Sequence, residues 1–175
     1  MEEGFELHSA GQLLKAVAKF EAALKGLEGL DAETDPGLKG HDYMNRAMLH
    51  SQAATCFQDM HEREAGEGDM HNLEYDMAEV VFATNRGLEC LDKMKTFVPI
   101  AIIPQESRDT FHSCKAGLLF KQGVAMASLD NFDRALELFN ESEALSPSDA
   151  TRQMIKGCTM MQKIRREQGT TSSTI

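Results

Sequence analysis

A pair formed by one small and one aromatic residue occurs three times along the chain, with the same spacing inside each pair. In each pair a phenylalanine follows an alanine by four residues, and the pairs are Ala16 and Phe20, Ala78 and Phe82, and Ala135 and Phe139. Residues four apart lie on one face of a helix, so the alanine lets a second helix approach while the ring fills the space one turn later. Recurrence of such a unit is typical of stacked helical pairs, although the alanines lie 62 and then 57 residues apart, so an irregular helical array is the alternative. The sequence therefore predicts an all-α chain.

Small residues precede these pairs and indicate where the partner helix crosses. Gly4 and Gly123 lie twelve residues before the first and third alanines, whereas Ala54 lies twenty-four residues before the second. The middle unit therefore carries about twelve extra residues, around positions 61–71. We expect this insertion to be either a longer loop or an extension of both helices.

Prolines, glycines and polar stretches divide the chain into seven predicted helices. Gly11-Gln12 and Asp130-Asn131 predict turns, Ser148 predicts a helix cap, and 31–40 and 62–69 predict exposed connections. We expect a single domain over 1–168 and a flexible tail over 169–175. Its hairpins are predicted at about 2–30, 42–93 and 106–145, with a closing helix at 148–168.

The third unit resembles the tetratricopeptide motif, through Leu119, Gly123, Met126, Ala135, Phe139 and Pro147. Three units, an insertion and a long last helix are similar in layout to the C-terminal repeat domains of large immunophilins and related co-chaperones. The resemblance implies three antiparallel helical hairpins in a right-handed α-solenoid, plus a C-terminal capping helix. It also implies a non-catalytic adaptor, co-chaperone-like, that binds a segment of another protein in its concave groove.

The same resemblance assigns the lining of that groove to the first helix of each unit. Besides Ser51 and Ser128, the predicted groove residues are Phe5, His8, Gln52, Thr55, Gln58, Phe120, Lys121 and Val124. This mixed lining favours a partner segment with apolar anchors. Alternatively, Phe120 and Val124 pack between helices as part of the core.

Related domains that grip the acidic tail of heat-shock chaperones use five polar side chains for its carboxylates. The corresponding positions here hold Met1, Phe5, Gln52, Gly117 and Lys121. Because Lys121 alone keeps the charge, most of the charge-assisted hydrogen bonds to a carboxylate are missing. We do not expect tight binding of an acidic chaperone tail.

The charge balance excludes two other classes of partner. The chain has 28 acidic and 18 basic residues, for a net charge of -10. Such a surface repels nucleic-acid phosphates and anionic lipid.

The apolar runs of the sequence are shorter than the roughly 20 residues of a membrane span. The four cysteines form no CxxC pair, so we expect reduced thiols and a cytoplasmic protein.

No motif for catalysis, a cofactor or a metal stands out. The chain lacks GxSxG, GxxxxGK[ST] and HExxH, and the group His61, Glu62, Glu64 and His71 has no ligand spacing. We therefore expect no enzyme activity and neither cofactor nor metal. Two alternatives remain open: a structural subunit of a large assembly, or the helper domain of a larger enzyme such as a peptidyl-prolyl isomerase. Met1 falls inside the first helix of the family pattern, which suggests a fragment.

Overall fold

The structure is a computed structural model that describes residues 2–28, 35–67 and 73–171. These residues form helices without any strand, which confirms the predicted all-α class. The seven α-helices are α1 (Glu2–Ser9), α2 (Leu13–Glu28), α3 (Pro36–Glu67), α4 (Leu73–Phe97), α5 (Gln105–Ser128), α6 (Phe132–Leu145) and α7 (Asp149–Thr171). A short 3-10 turn, Ile100–Ile102, lies between α4 and α5.

Three of the predicted helix boundaries are confirmed, two by backbone geometry and one by a capping hydrogen bond. Gly11 has φ 71° after α1, and Asp130 has φ 62° after α5. Glycine adopts this left-handed conformation without strain, and aspartate tolerates it better than most residues. The Ser148 hydroxyl accepts a hydrogen bond from the Thr151 backbone N–H at 3.0 Å. Ser148 is therefore the N-cap of α7, as predicted.

The first and third helical pairs share one close contact. A Cβ on Gly4 would lie 2.6 Å from the Phe20 ring, and one on Gly123 would lie 2.7 Å from the Phe139 ring. Both rings are completely buried. Glycine is needed at both positions because any side chain would overlap the ring. The predicted pairing of glycine, alanine and phenylalanine is confirmed in these two hairpins.

The corresponding prediction for the middle hairpin is wrong. Ala78 is exposed, and 60% of Phe82 is exposed, whereas Val80 and Thr84 are completely buried. Two residues correspond to about 200° of rotation around a helix, so α4 presents the opposite side to its neighbours. The Thr84 hydroxyl is buried without cost because it donates to the Val80 carbonyl at 2.8 Å.

Helix α3 begins inside the segment that was predicted to be a loop over 31–40. Pro36 is its first residue, and the Asp35 carboxylate accepts hydrogen bonds from the backbone N–H groups of Gly37 at 2.8 Å and Leu38 at 3.0 Å. Proline suits the first helical position, where its missing N–H is not needed. The prediction is wrong for residues 36–40, and residues 31–34 lie outside the described part.

The insertion of the middle hairpin extends its helices. Helix α3 has 32 residues and continues to Glu67, so the predicted exposed connection over 62–67 is wrong. Residues 68–72 lie outside the described part. Near its start, α3 packs beside Val98, at the end of α4. Further along α3, Ala54 contacts the start of α4. The two helices therefore run antiparallel. The helical hairpin thus spans 36–97 instead of 42–93.

The last helix is also longer than predicted, since α7 continues through 169–171. Its last turns can be supported by Lys163 and Glu167, which are four residues apart with 4.0 Å between charged atoms. The predicted end of this helix near 168 is therefore wrong by about three residues, and residues 172–175 lie outside the described part.

The buried apolar residues form four clusters along the chain. The first joins α2 to α3, two join α3, α4 and α5, and the last joins α5, α6 and α7. Each helix therefore buries its apolar face mainly against its neighbours in the sequence. The last cluster contains Ala135, Phe139 and Cys158, so α7 packs on α6.

Candidate partner-binding surface

Polar side chains connect α1, α3 and α5, and the surface that they share is here called the inner surface. His8 Nε2 of α1 lies 2.7 Å from Asp59 Oδ2 of α3. Lys121 Nζ of α5 donates to Ser51 Oγ of α3 at 2.8 Å. Gln58 Nε2 lies 3.4 Å from the Lys121 carbonyl oxygen. The structure thus brings together four residues predicted to line the groove.

A cavity of about 330 Å³ opens on the inner surface beside α5. Three of the residues assigned to the groove line it: Gln58, Phe120 and Lys121. Its other lining residues are small or carry hydroxyls: Ser113, Ala116, Gly117, Ser142, Ser146, Ser148, Ala150 and Thr151. A Cβ on Gly117 would meet nothing within 4 Å, so the cavity is open above this glycine.

The hydroxyl-bearing wall of this cavity was missed by the sequence reasoning. Ser113, Gly117 and Lys121 are spaced four apart on α5, and this spacing was a usable signal for one wall. The opposite wall comes from the connection between α6 and α7, which contains Ser146 and Ser148. Nothing in the sequence alone indicates that this connection folds back over α5.

Lys121 is held by its neighbours instead of projecting into solvent. Burial lowers the pKa of its ammonium group, while Cys114 and Asp59 act in the opposite direction. One of its three N–H donors is used by Ser51, and the other two are left for further partners.

The predicted apolar anchors differ in their exposure. Phe5 is 42% exposed and meets the Phe20 ring edge-on, with 5.4 Å between ring centroids. The ring centroids of Phe120 and Phe139 lie 5.6 Å apart. Val124 packs against the apolar cluster that contains Phe139. Phe120 and Val124 therefore both pack against the core, and of the two Phe120 alone also lines the cavity.

The remaining groove residues, Gln52 and Thr55, are half-buried on α3. The Thr55 hydroxyl donates to the Ser51 carbonyl at 3.0 Å within its own helix. Neither residue lines the cavity. They lie beside it, on the part of α3 between Ser51 and Gln58, and Ser128 lies exposed at the end of α5.

The four cysteines are free thiols, of which Cys56 and Cys158 are buried while Cys90 and Cys114 are half-buried. Burial raises the pKa of Cys56 to about 11, with a further contribution from Asp59, and it raises the pKa of Cys114 to about 11. The pKa values of Cys90 and Cys158 are also raised by burial. At neutral pH these groups are thiols, which are poor nucleophiles.

Within the described residues, no three side chains among histidine, cysteine, aspartate and glutamate come together with the geometry for a metal ion. None of the described helices combines the length and the apolar character needed to cross a membrane.

Comparison with known proteins gives no relative from which a role could be transferred. No protein-family model, no curated protein and no solved structure matches this chain.

Proposed function

We propose that this chain is a tetratricopeptide-like interaction module that binds a partner segment along its inner surface. The proposal includes a stack of three antiparallel hairpins closed by α7, and a role as an adaptor or co-chaperone without chemistry of its own. The observation that carries it is the open cavity above Gly117, next to the polar contacts that connect α3 and α5.

Two features support the architectural part of the proposal. The first and third hairpins repeat the same glycine-to-phenylalanine contact, sixteen residues apart in both. Besides packing on its neighbour in sequence, α3 also contacts α5, the next odd-numbered helix. In helical repeat proteins, stacking of this kind creates an extended concave surface that binds partners.

The lining suggests what the partner segment presents. The hydroxyls of Ser113 and Ser146 offer hydrogen bonds, while Phe120 and Ala150 offer apolar contact. A segment with an apolar side chain flanked by backbone amides fits this mixture better than a highly charged one. The four unpaired cysteines suit a reducing compartment, so the proposed location is the cytoplasm.

A photoreactive side chain introduced at Gly117 tests this proposal. The new side chain points into open space, so the fold is not expected to change. Irradiation in a cytosolic lysate should give discrete crosslinked products whose mapped site on this chain is position 117. The same photoreactive side chain at Gly157, which also faces open space on α7, is the matched control and should not give those products.

Gly117→Glu provides a second, independent readout. A carboxylate in the cavity should reduce capture of the same partner by at least about tenfold, whereas Gly157→Glu should leave capture unchanged. Equal crosslinking at both positions, or unchanged capture by Gly117→Glu, would contradict binding at the inner surface. In that case, loss of the partner through substitutions on α2, α4 and α6 would favour the alternative of a structural subunit in a large assembly.

A further inference from the structure

A second cleft lies between α2 and α4, on a different side of α3 from the inner surface. Its volume is about 340 Å³. Tyr43, Arg46 and His50 of α3 form its floor, and Ser51 of the inner surface follows His50 by one residue, about 100° further around the helix. The remaining lining comes from α2 and α4: Glu21, Leu24, Lys25, Phe82, Arg86, Glu89, Cys90 and Lys93.

This cleft, called the cationic cleft below, has the opposite charge to the chain. Four lysine or arginine side chains and two glutamates line it, whereas the net charge of the chain is -10. A local excess of positive charge on an acidic protein attracts anionic groups to one place. The charge of the cleft is therefore complementary to an acidic ligand.

Three of the cations are accessible to such a ligand. Lys25 has no ion-pair partner within the described part of the chain, and Lys93 lies over the Tyr43 ring at 5.8 Å. Arg86 pairs with Glu89 at 3.3 Å, but both side chains are more than half exposed. Exposed pairs of this kind contribute little and exchange partners readily.

Arg46 has a different role, because it is almost buried. It pairs with Asp42 at 2.7 Å, with about a tenth of each side chain exposed. It also donates to the Leu27 carbonyl, which joins α3 to the end of α2. Arg46 therefore fixes the floor of the cleft and adds to its potential, whereas direct contact with a ligand falls to the side chains on the walls.

His50 lies on the floor of the cleft, where burial and nearby charges both act on its pKa. Its pKa is lowered from 6.5 to about 4, first by burial and next by Arg86, with Arg46 acting in the same direction and Glu89 against it. The imidazole is thus neutral at pH 7. An anion bound in the cleft would oppose the effect of the two arginines and raise this pKa.

The geometry favours a carboxylate over a phosphate group. Phosphate sites are commonly built from the free backbone N–H groups at a helix N-terminus. Every residue that lines this cleft lies inside a helix, away from such an end. Apolar side chains also contribute, since Phe82 is 60% exposed and stands beside Leu24 and Cys90.

We propose that the cationic cleft binds an acidic peptide segment of another protein, with carboxylate side chains on Lys25, Arg86 and Lys93 and an adjacent apolar side chain on Phe82. The site is separate from the inner surface and has the opposite preference in charge. Partners at the two surfaces are therefore distinguished by their chemistry, and one adaptor could hold both at once.

A short synthetic peptide in which glutamate alternates with leucine is the probe for this proposal. Titration should shift the nuclear magnetic resonance signals of the residues that line the cleft and raise the pKa of His50. The matched peptide with glutamine in place of glutamate should not bind. Affinity should also fall as salt is added, because exposed ion pairs are screened.

Lys93→Glu should weaken binding of the acidic peptide by about tenfold or more, as expected for loss of a charge-assisted contact. Lys156→Glu is the matched control, since it changes the net charge equally at an exposed site on α7, and it should leave the affinity nearly unchanged. Absence of binding, equal binding of the glutamine peptide, or equal losses in both variants would overturn the proposal. Binding of inorganic phosphate without the peptide would also overturn it. None of these results depends on Gly117, so the two surfaces are tested separately.

Discussion

At the scale of single residues, two phenylalanines with similar sequence surroundings have opposite structural roles. Phe139 is completely buried, whereas 60% of Phe82 is exposed. Phe139→Ala should therefore lower the free energy of unfolding by roughly 3–5 kcal/mol. Phe82→Ala should change it little, and chemical denaturation of both variants makes the comparison. Similar losses would mean that Phe82 is buried in solution.

The glycines allow an equally sharp comparison. An added Cβ at Gly123 would lie 2.7 Å from the Phe139 ring, whereas one at Gly157 meets nothing within 4 Å. We expect Gly123→Ala to destabilise by about 1–3 kcal/mol through overpacking, reduced by the better helix propensity of alanine. Gly157→Ala should stabilise by up to about 1 kcal/mol. Thermal or denaturant unfolding measures both, and stabilisation by both changes would show that the ring moves freely.

His50 predicts how stability depends on pH. Its pKa is about 4 in the folded chain, against 6.5 for the ordinary group. Between these values the unfolded chain takes up a proton that the folded chain does not, so stability falls as the pH is lowered from about 6.5 to about 4. His50→Gln should flatten this part of the profile of melting temperature against pH. An unchanged slope in the variant would assign the dependence to other groups.

At the scale of helices, the cap of α7 gives a local test. The Ser148 hydroxyl accepts from the Thr151 N–H and lies 2.8 Å from the Thr151 hydroxyl. Ser148→Ala should cost about 1 kcal/mol, because the N–H loses its partner. Ser113→Ala, at an exposed serine within α5, is the control and should be close to neutral. Equal effects would show that capping contributes nothing here.

The comparison of sequence and structure is also clearest at this scale. Ala16, Phe20, Ala135 and Phe139 occupy the predicted positions because, in short hairpins, spacing alone decides which residues face the partner helix. The middle hairpin is longer, and Thr84 can replace an apolar residue there by donating to its own helix. The pattern of residue types does not show that a threonine hydroxyl is satisfied within its own helix. Ala78 and Phe82 were therefore assigned to the wrong face of α4.

The candidate site was predictable only in part, for a related reason. The family resemblance assigned His8, Gln58 and Lys121 to the groove, and the structure places them in polar contacts that join α1, α3 and α5. The cavity beside them depends on where the connection after α6 folds. The cationic cleft depends on side chains from three helices, which no local spacing relates.

At the scale of the whole molecule, α7 is expected to protect the last apolar cluster. Met154, Ile155 and Cys158 pack on Ala135 and Phe139. Removing residues 149–175 should therefore lower the melting temperature and increase binding of a hydrophobic dye, since burial of each such side chain contributes on the order of 1.5–3 kcal/mol. Removing only 172–175 is the control, because all seven described helices remain. Similar melting curves for both would mean that α6 is stable without its cover.

The arrangement of the core along the chain has a consequence for biosynthesis. Each apolar cluster joins helices that follow one another in sequence. Few core contacts therefore require a distant part of the polypeptide to be synthesised first. Chains dominated by such local contacts fold quickly, and N-terminal parts can fold during synthesis. The first hairpins can thus become structured while later ones are still being translated. The side of Phe139 that packs on α7 must remain uncovered until α7 has left the ribosome. That interval is the one in which a nascent chain needs protection from aggregation.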